Sequence, residues 1–209
     1  MFGIESFQVF LLAAVVICLV PGVDTMYILS RSMSQGKTAG VYSVLGISTG
    51  CVVHTILAAI GLSAILQAST LLFTILKSVG AVYLIYLGIQ SLFQKQTPKT
   101  TIQLTTVSKK RLYTQGLITN VTNPKVALFF ISFVPQFIVP DNHYGPVPFI
   151  LLGATFVLLG TIWDLALVAF ASFITKKLRE SMIFESILNK LSGVVFIILG
   201  ISLFTSKAH

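Results

Sequence analysis

LVPGVDTMYILSRSMSQGK, residues 19–37, is where a long apolar run meets a proline and a glycine, presents a carboxylate, Asp24, and then turns apolar again. An acidic side chain amid so much hydrocarbon needs an environment of its own, and the rest of the chain says which kind. Of 209 residues, 55% are hydrophobic and only 10% charged, against about a quarter charged in a soluble domain. The chain therefore reads as a membrane protein.

Runs of about 20 residues, long enough as helices to cross a hydrocarbon layer of ~30 Å, lie at roughly 6–29, 39–66, 70–93, 122–139, 146–174 and 187–206. Strict period-two alternation is missing, which favours helices over barrel strands. The first run lacks a basic start and a small-residue cleavage site, so it reads as a retained helix rather than a signal peptide. The expected fold is all-α, an integral membrane protein of six transmembrane helices.

The net charge of +8 would suggest nucleic acid in a soluble protein. Here the placement decides. Arg31 and Lys37 fall between the first and second runs, Lys95, Lys99, Lys109, Lys110 and Arg111 between the third and fourth, and Lys176, Lys177 and Arg179 between the fifth and sixth. The opposite side carries only Asp141 and His143 in a loop and Lys207 in the tail. By the positive-inside rule the basic loops are cytoplasmic and both termini face out. The basic excess is thus a topology signal, and no nucleic-acid partner is expected; the lipid bilayer is.

QKQTPKTTIQLTTVSKK, 94–110, is polar and reads as a flexible linker. It divides the chain into residues 1–93, a cytoplasmic linker 94–112, and residues 113–209. The two parts echo each other. VVICLVP (15–21) matches FFISFVP (129–135), GVYSVLG (40–46) loosely matches GATFVLLG (153–160), and KSVGAVYLIYLGIQSLF (77–93) matches KLSGVVFIILGISLF (190–204), all at nearly one offset. Each copy holds three spans, and an odd number forces the second to enter from the opposite side. The expectation is two inverted three-helix repeats, a recurring construction in secondary transporters.

Pro21 removes a backbone donor and Gly22 permits a bend, so the first helix is expected to break there. Irregular backbone at membrane depth is tolerated only when buried in protein or lining a wet cavity, which makes the break a candidate cavity wall. Asp24 then caps the half-helix that follows, or binds a cationic group or a proton, since intramembrane ionisable residues are costly and usually functional. The two roles are compatible. In the second half Pro135 copies Pro21, but Asp24 falls opposite Ile138. Asn123, Pro124 and Lys125 open the fourth run: Asn before Pro favours a turn and a helix start, and Lys125 either snorkels to the surface or joins the site. Asp164, beside Trp163, lies about halfway along the fifth run and is hard to explain except by function. His54, near the middle of the second run, is either a packing residue or a proton-linked one. Pro21, Gly22, Pro124 and Pro135 are the candidate hinges. Glycines such as Gly46, Gly50, Gly88 and Gly193 suit close helix packing, within one chain or in a homo-dimer.

PGVDTMYILSRSMSQGKTAGVYSVLGISTG, with NPKVALFFISFVPQF further on, resembles the lysine exporter (LysE) family, in particular its resistance-to-homoserine/threonine (RhtB) branch. The similarity runs over nearly the whole chain. The family is commonly written with Pro-Gly-Pro before the acidic residue, whereas this chain has Pro21, Gly22 and Val23, losing one rigid element. The resemblance implies a bacterial inner-membrane exporter, not an enzyme, that carries neutral amino acids such as homoserine, threonine or leucine. Proton antiport, and no cofactor, would drive it. On that footing Asp24 or Asp164 would take the substrate ammonium, and amides at the half-helix starts near Asp24 and Asn123 its carboxylate.

Two other classes are weighed beside it. A thiol-exchange redox protein would want paired cysteines, but Cys18 falls opposite Ser132 and no Cys-x-x-Cys occurs. A divalent metal exporter, met among related families, would want several facing His or acidic residues; Asp24, His54 and Asp164 stand on three different spans.

Overall fold

The chain breaks its first helix where Pro21 and Gly22 stand. In the computed structural model, which describes residues 2–68, 70–93, 105–139, 143–171 and 182–205, helix α1 (Phe7–Leu19) stops before the proline and α2 (Val23–Gln35) starts after the glycine. The two axes differ by 50°. After Gly36, α3 (Lys37–Leu57) runs through a π-helical turn at Ala58–Leu62 into α4 (Ser63–Ala68), and α5 (Thr70–Phe93) follows. The second half opens on α6 (Lys109–Val121) and α7 (Pro124–Leu128), the latter prolonged by a π turn (Phe129–Phe133) and a single 3-10 turn (Val134–Phe137). α8 (Val147–Phe170) and α9 (Met182–Thr205) complete it.

Among the described residues the only β-pairing is an isolated bridge between Ile4 and Ile138; the rest is helix and connection, as expected. Lys37–Ile65 and Val147–Phe170 are each long and apolar enough to cross a membrane, and α1–α2 and α6–α7 qualify as bent pairs, up to four crossings by length and composition. α5 and α9 contribute shorter apolar stretches, Ser78–Phe93 and Gly193–Ser202. Large apolar side chains such as Leu12, Leu57, Ile60, Leu71, Val79, Leu158 and Ile198 point outward. So extensive an exposed apolar surface marks a membrane protein.

Three details depart from expectation. The second break lies at Thr122–Asn123, beside the candidate hinge Pro124, with a 48° bend between α6 and α7, and not at the other candidate, Pro135. The residue before a proline is pushed out of the helical region, and Asn123 (φ −75°, ψ 110°) yields to that push. Pro135 instead occupies the start of the 3-10 turn, where its missing N–H is one of the helix-start donors that has no partner anyway. Lys109–Leu112, assigned to the linker, form the first turn of α6; residues 94–104 lie outside the described residues. Arg31, read as a loop charge, is buried within α2, its guanidinium donating to Gln115 Oε1 at 3.0 Å. The basic side chains Lys95, Lys99, Lys176, Lys177, Arg179 and Lys207 and the acidic Asp141 also fall outside the described residues.

Packing follows small residues and rings. Gly46 lets the backbone of α3 lie directly on Tyr113 and Leu117 of α6, and Gly116 returns the contact against Ser43. Gly88 and Gly193 do the same for α5 and α9. These glycines are spent on contacts within the chain, the way membrane helices associate when burial of apolar surface gives no driving force. Phe10 of α1, Phe129, Phe130, Phe133 and Phe137 after the second break, and Phe149 and Phe156 of α8 form one buried cluster. The Phe129 and Phe156 rings stack at 4.4 Å. That cluster fixes α1, α7 and α8 around the two breaks.

Gly46→Val would drive branched atoms into the α6 backbone, which has no side chain to move aside. Overpacking of this kind costs roughly 1–3 kcal/mol, which lowers the melting temperature by roughly 2–12 °C at this chain length. Gly61, with nothing near its would-be β-carbon, is the control: Gly61→Ala should melt at or above the wild-type temperature in the same detergent.

Candidate functional site

A broken helix leaves carbonyls free at one end and amides at the other. At the first break Pro21 has no N–H to offer, and Val20 turns extended (φ −65°, ψ 114°), so the last carbonyls of α1 lose their helical partners. Lys125, from the first turn of α7, supplies them: its Nζ donates to Val20 O at 2.8 Å and Ile17 O at 3.3 Å. An ammonium is also the sign a helix C-terminus favours. Its stem passes over Gly22, whose would-be β-carbon lies 3.2 Å from Nζ. A larger residue at 22 would crowd the lysine out.

At the other lip of that break Asp24 sits in the first turn of α2, buried. Its Oδ2 accepts from Asn120 Nδ2 at 2.8 Å and from Asn123 Nδ2 at 3.0 Å. Both donors flank the second break. Asn123 also caps α7, its Oδ1 accepting from the Lys125 amide at 3.0 Å, and Asn120 is fully buried. The two breaks are thus cross-braced: the second sends two amides to the carboxylate of the first and an ammonium to its carbonyls.

Asp24, Asn120 and Lys125 line a cavity of about 40 Å³ together with Thr25, Trp163 and Asp164, and with apolar walls that include Ile17, Ile47, Val126 and Phe156. That is room for a few water molecules. α8 brings Trp163 and Asp164; it is the less buried of the two unbroken spans, 17% against 50% for the span that begins with α3, and Asp164 is on the face that looks inward to the cavity. Both free cysteines, Cys18 and Cys51, are on the cavity wall. Asp24 Oδ1 and Trp163 Nε1 are buried and, among the described residues, have no hydrogen-bond partner.

Of the residues named from sequence, Asp24, Asp164 and Lys125 therefore meet at one cavity, and Asn123 holds Asp24 from behind. His54 does not reach the lining. Its Nε2 lies 3.2 Å from the Asn120 carbonyl, which requires that nitrogen to carry the proton, and its ring stacks on Phe130 at 5.8 Å. Lys125 does not snorkel; it is turned toward the α1 carbonyls. Sequence reasoning missed Asn120. The signal was present, because Asn120 precedes Asn123 by three positions and shares its face across the break.

These features define a helical membrane protein with a small charged cavity at the meeting of two broken helices. The chain belongs to the LysE type translocator family, which it matches over residues 15–207, in agreement with the resemblance in its motifs and with a transporter rather than an enzyme. It is 33% identical over 205 residues to an uncharacterized membrane protein of Vibrio cholerae, covering 98% of this chain and 99% of that protein. It is 32% identical over 206 residues to the uncharacterized membrane protein YrhP of Bacillus subtilis, covering 94% and 97%. It is 29% identical over 197 residues to the leucine efflux protein of Salmonella typhimurium, covering 94% and 93%. No solved structure matches it.

Lys125→Met keeps most of the side chain's bulk and removes the ammonium, leaving the Ile17 and Val20 carbonyls without that donor. Hydrogen bonds to charged groups contribute about 1.5–3 kcal/mol, so the variant should melt lower by roughly 3–12 °C. A Met variant as stable as wild type would show that the ammonium does not brace the break.

Proposed function

We propose that this protein exports neutral amino acids of the leucine, threonine and homoserine kind across the bacterial plasma membrane in exchange for protons. The observation that carries the reading is the charge count at the cavity: two carboxylates, Asp24 and Asp164, face one ammonium, Lys125. With all three ionised, one negative charge is left uncompensated in a site of low dielectric. A proton can neutralise it, or a substrate ammonium can, and the two compete. Competition for one charge at a site reached alternately from either side is antiport. The leucine efflux relatives support the amino-acid assignment, and the apolar walls suit an aliphatic side chain.

Asp24 is the residue we assign to the exchange. Its Oδ2 is held by the two asparagines while Oδ1 is left for the ligand. Asp164 supplies the second charge, Asn120 and Asn123 position Asp24, and His54 positions Asn120 through its carbonyl. Pro21, Gly22 and Pro124 set the breaks. In this reading the halves are inverted repeats, supported by an order of bent pair, long helix, long helix that occurs twice. The N-terminal strap pairs with the chain that follows the 3-10 turn, Glu5 N to Phe137 O and Val139 N to Gly3 O, both 2.9 Å. That keeps residues 3–5 and 137–139 on one side, which the charge distribution makes the outside. Export of a divalent cation is not favoured: among the described residues no group of three or more His, Cys, Asp or Glu is placed to hold one.

The test is release of labelled leucine, threonine, homoserine and divalent cations from loaded proteoliposomes, with and without an acidic exterior. Wild type should release a neutral amino acid faster when the exterior is acidic. Asp24→Asn should lose that stimulation by on the order of a hundredfold, as expected when a buried charge loses its partner at a cost of about 2–5 kcal/mol. Release of cations alone would sink the assignment. Topology is checked separately in a Cys18→Ser, Cys51→Ser background: an impermeant thiol reagent should label His143→Cys from outside intact cells and Lys177→Cys only after the cells are opened.

A further inference from the structure

Three residues that line the cavity carry a buried polar atom with no partner among the described residues: two acceptors, the carboxylate Oδ1 of Asp24 and the amide Oδ1 of Asn120, and one donor, Trp163 Nε1. An unmet indole N–H costs about 1–3 kcal/mol when buried, and a membrane span has many apolar alternatives to tryptophan. Lys125 adds to the donor side, since its ammonium has three N–H groups and two carbonyl acceptors. The amides expected to receive a substrate carboxylate at the start of α7 are in part already used, the Lys125 N–H by Asn123 Oδ1.

We infer that the cavity binds a zwitterion with fixed polarity, its ammonium on Asp24 Oδ1 and its carboxylate on the Trp163 indole N–H, with Lys125 as the electrostatic partner of that carboxylate. The inference rests on the amino-acid reading above and deepens it. Trp163 is then a substrate-binding residue, and it selects for amino acids over amines of the same side chain. A site built to hydrogen-bond a group rejects ligands that lack it, because its own polar atom is left unpaired.

Trp163 is the one tryptophan of the chain, so its spectrum reports on the site alone. Two measurements decide. In proteoliposomes, Trp163→Phe keeps an aromatic ring and removes the N–H; KM for L-leucine efflux should rise on the order of tenfold or more, with kcat within a few-fold of wild type. In wild-type protein in nanodiscs, the ultraviolet resonance Raman band that senses indole N–H hydrogen bonding should move toward stronger bonding on addition of L-leucine. It should stay in place with 3-methylbutylamine, which lacks the carboxylate. An unchanged KM, a loss of kcat alone, or a band that ignores leucine or follows the amine would overturn the inference and leave the amino-acid reading intact. If wild type moves no amino acid at all, both fall. Should Trp163→Phe fail to fold, the Raman comparison on wild-type protein decides by itself.

Discussion

In hydrocarbon a broken helix leaves carbonyls at one end and amides at the other with no bulk water to take them, each costing several kcal/mol if unmet. The architecture follows from how this chain answers that constraint. Each break is served by side chains from the other: Lys125 crosses to the carbonyls of α1, while Asn120 and Asn123 cross to the carboxylate that opens α2. Neither half can hold its irregular backbone without the other. The signs agree as well, an ammonium at a helix C-terminus and a carboxylate at a helix N-terminus. The remaining contacts keep those groups in register: Gly46 and Gly116 let α3 and α6 touch backbone to backbone, Gly50 leaves space on α3 for Asn120, and the phenylalanine cluster fixes α1, α7 and α8.

Much of this was legible in the sequence because the cost of a mistake in a membrane is high and local. The membrane class, and the choice of Asp24 and Asp164 as candidate residues that the fold then brings to one cavity, rest on one rule, that polar groups in apolar spans must have a reason. What escaped depended on the third dimension. Pro124 and Pro135 both stood as candidate hinges, the second through the match of FFISFVP to VVICLVP, and residue identity alone did not say which proline the backbone could absorb. A proline opening a 3-10 turn costs little, whereas one preceded by a good capping residue ends a helix, and Asn123 is that residue. Lys125 was legible as a candidate site residue, but its snorkelling alternative stayed open because nothing in its own helix announces that the carbonyls of α1 lie within reach. Asn120 was legible only as half of a pair with Asn123, and Arg31 as a loop charge only while α2 was thought to end before it.

His54 shows the limit of arguing from residue type. A histidine in the middle of a span invites a proton-relay role, yet its ring is occupied twice over, by the Asn120 carbonyl at one edge and the Phe130 face. The Asn120 carbonyl also accepts from the Asn123 amide at 2.9 Å. His54 therefore stands behind the residue that stands behind Asp24. Its contacts place a donor against the end of α6 and a flat ring against Phe130, outside the cavity lining.

Only one oxygen of Asp24 is held by the asparagines, and this division would make the proposed exchange at a helix break physically workable. If both oxygens were tied to the second half, taking up a proton would disrupt the bracing each time, and the irregular backbone would lose its support when the charge changed. With Oδ2 bound to the two asparagines and Oδ1 without a partner among the described residues, the proposed exchange puts the proton or the ammonium on the oxygen that carries no structural load. The amide donors continue to find an acceptor, because the other oxygen of a protonated carboxyl remains a hydrogen-bond acceptor. Their bonds weaken from charge-assisted to neutral, roughly halving in strength, but they do not vanish. In the proposed exchange the two halves would thus be loosened by protonation rather than released, a graded change well suited to shifting a balance between two arrangements.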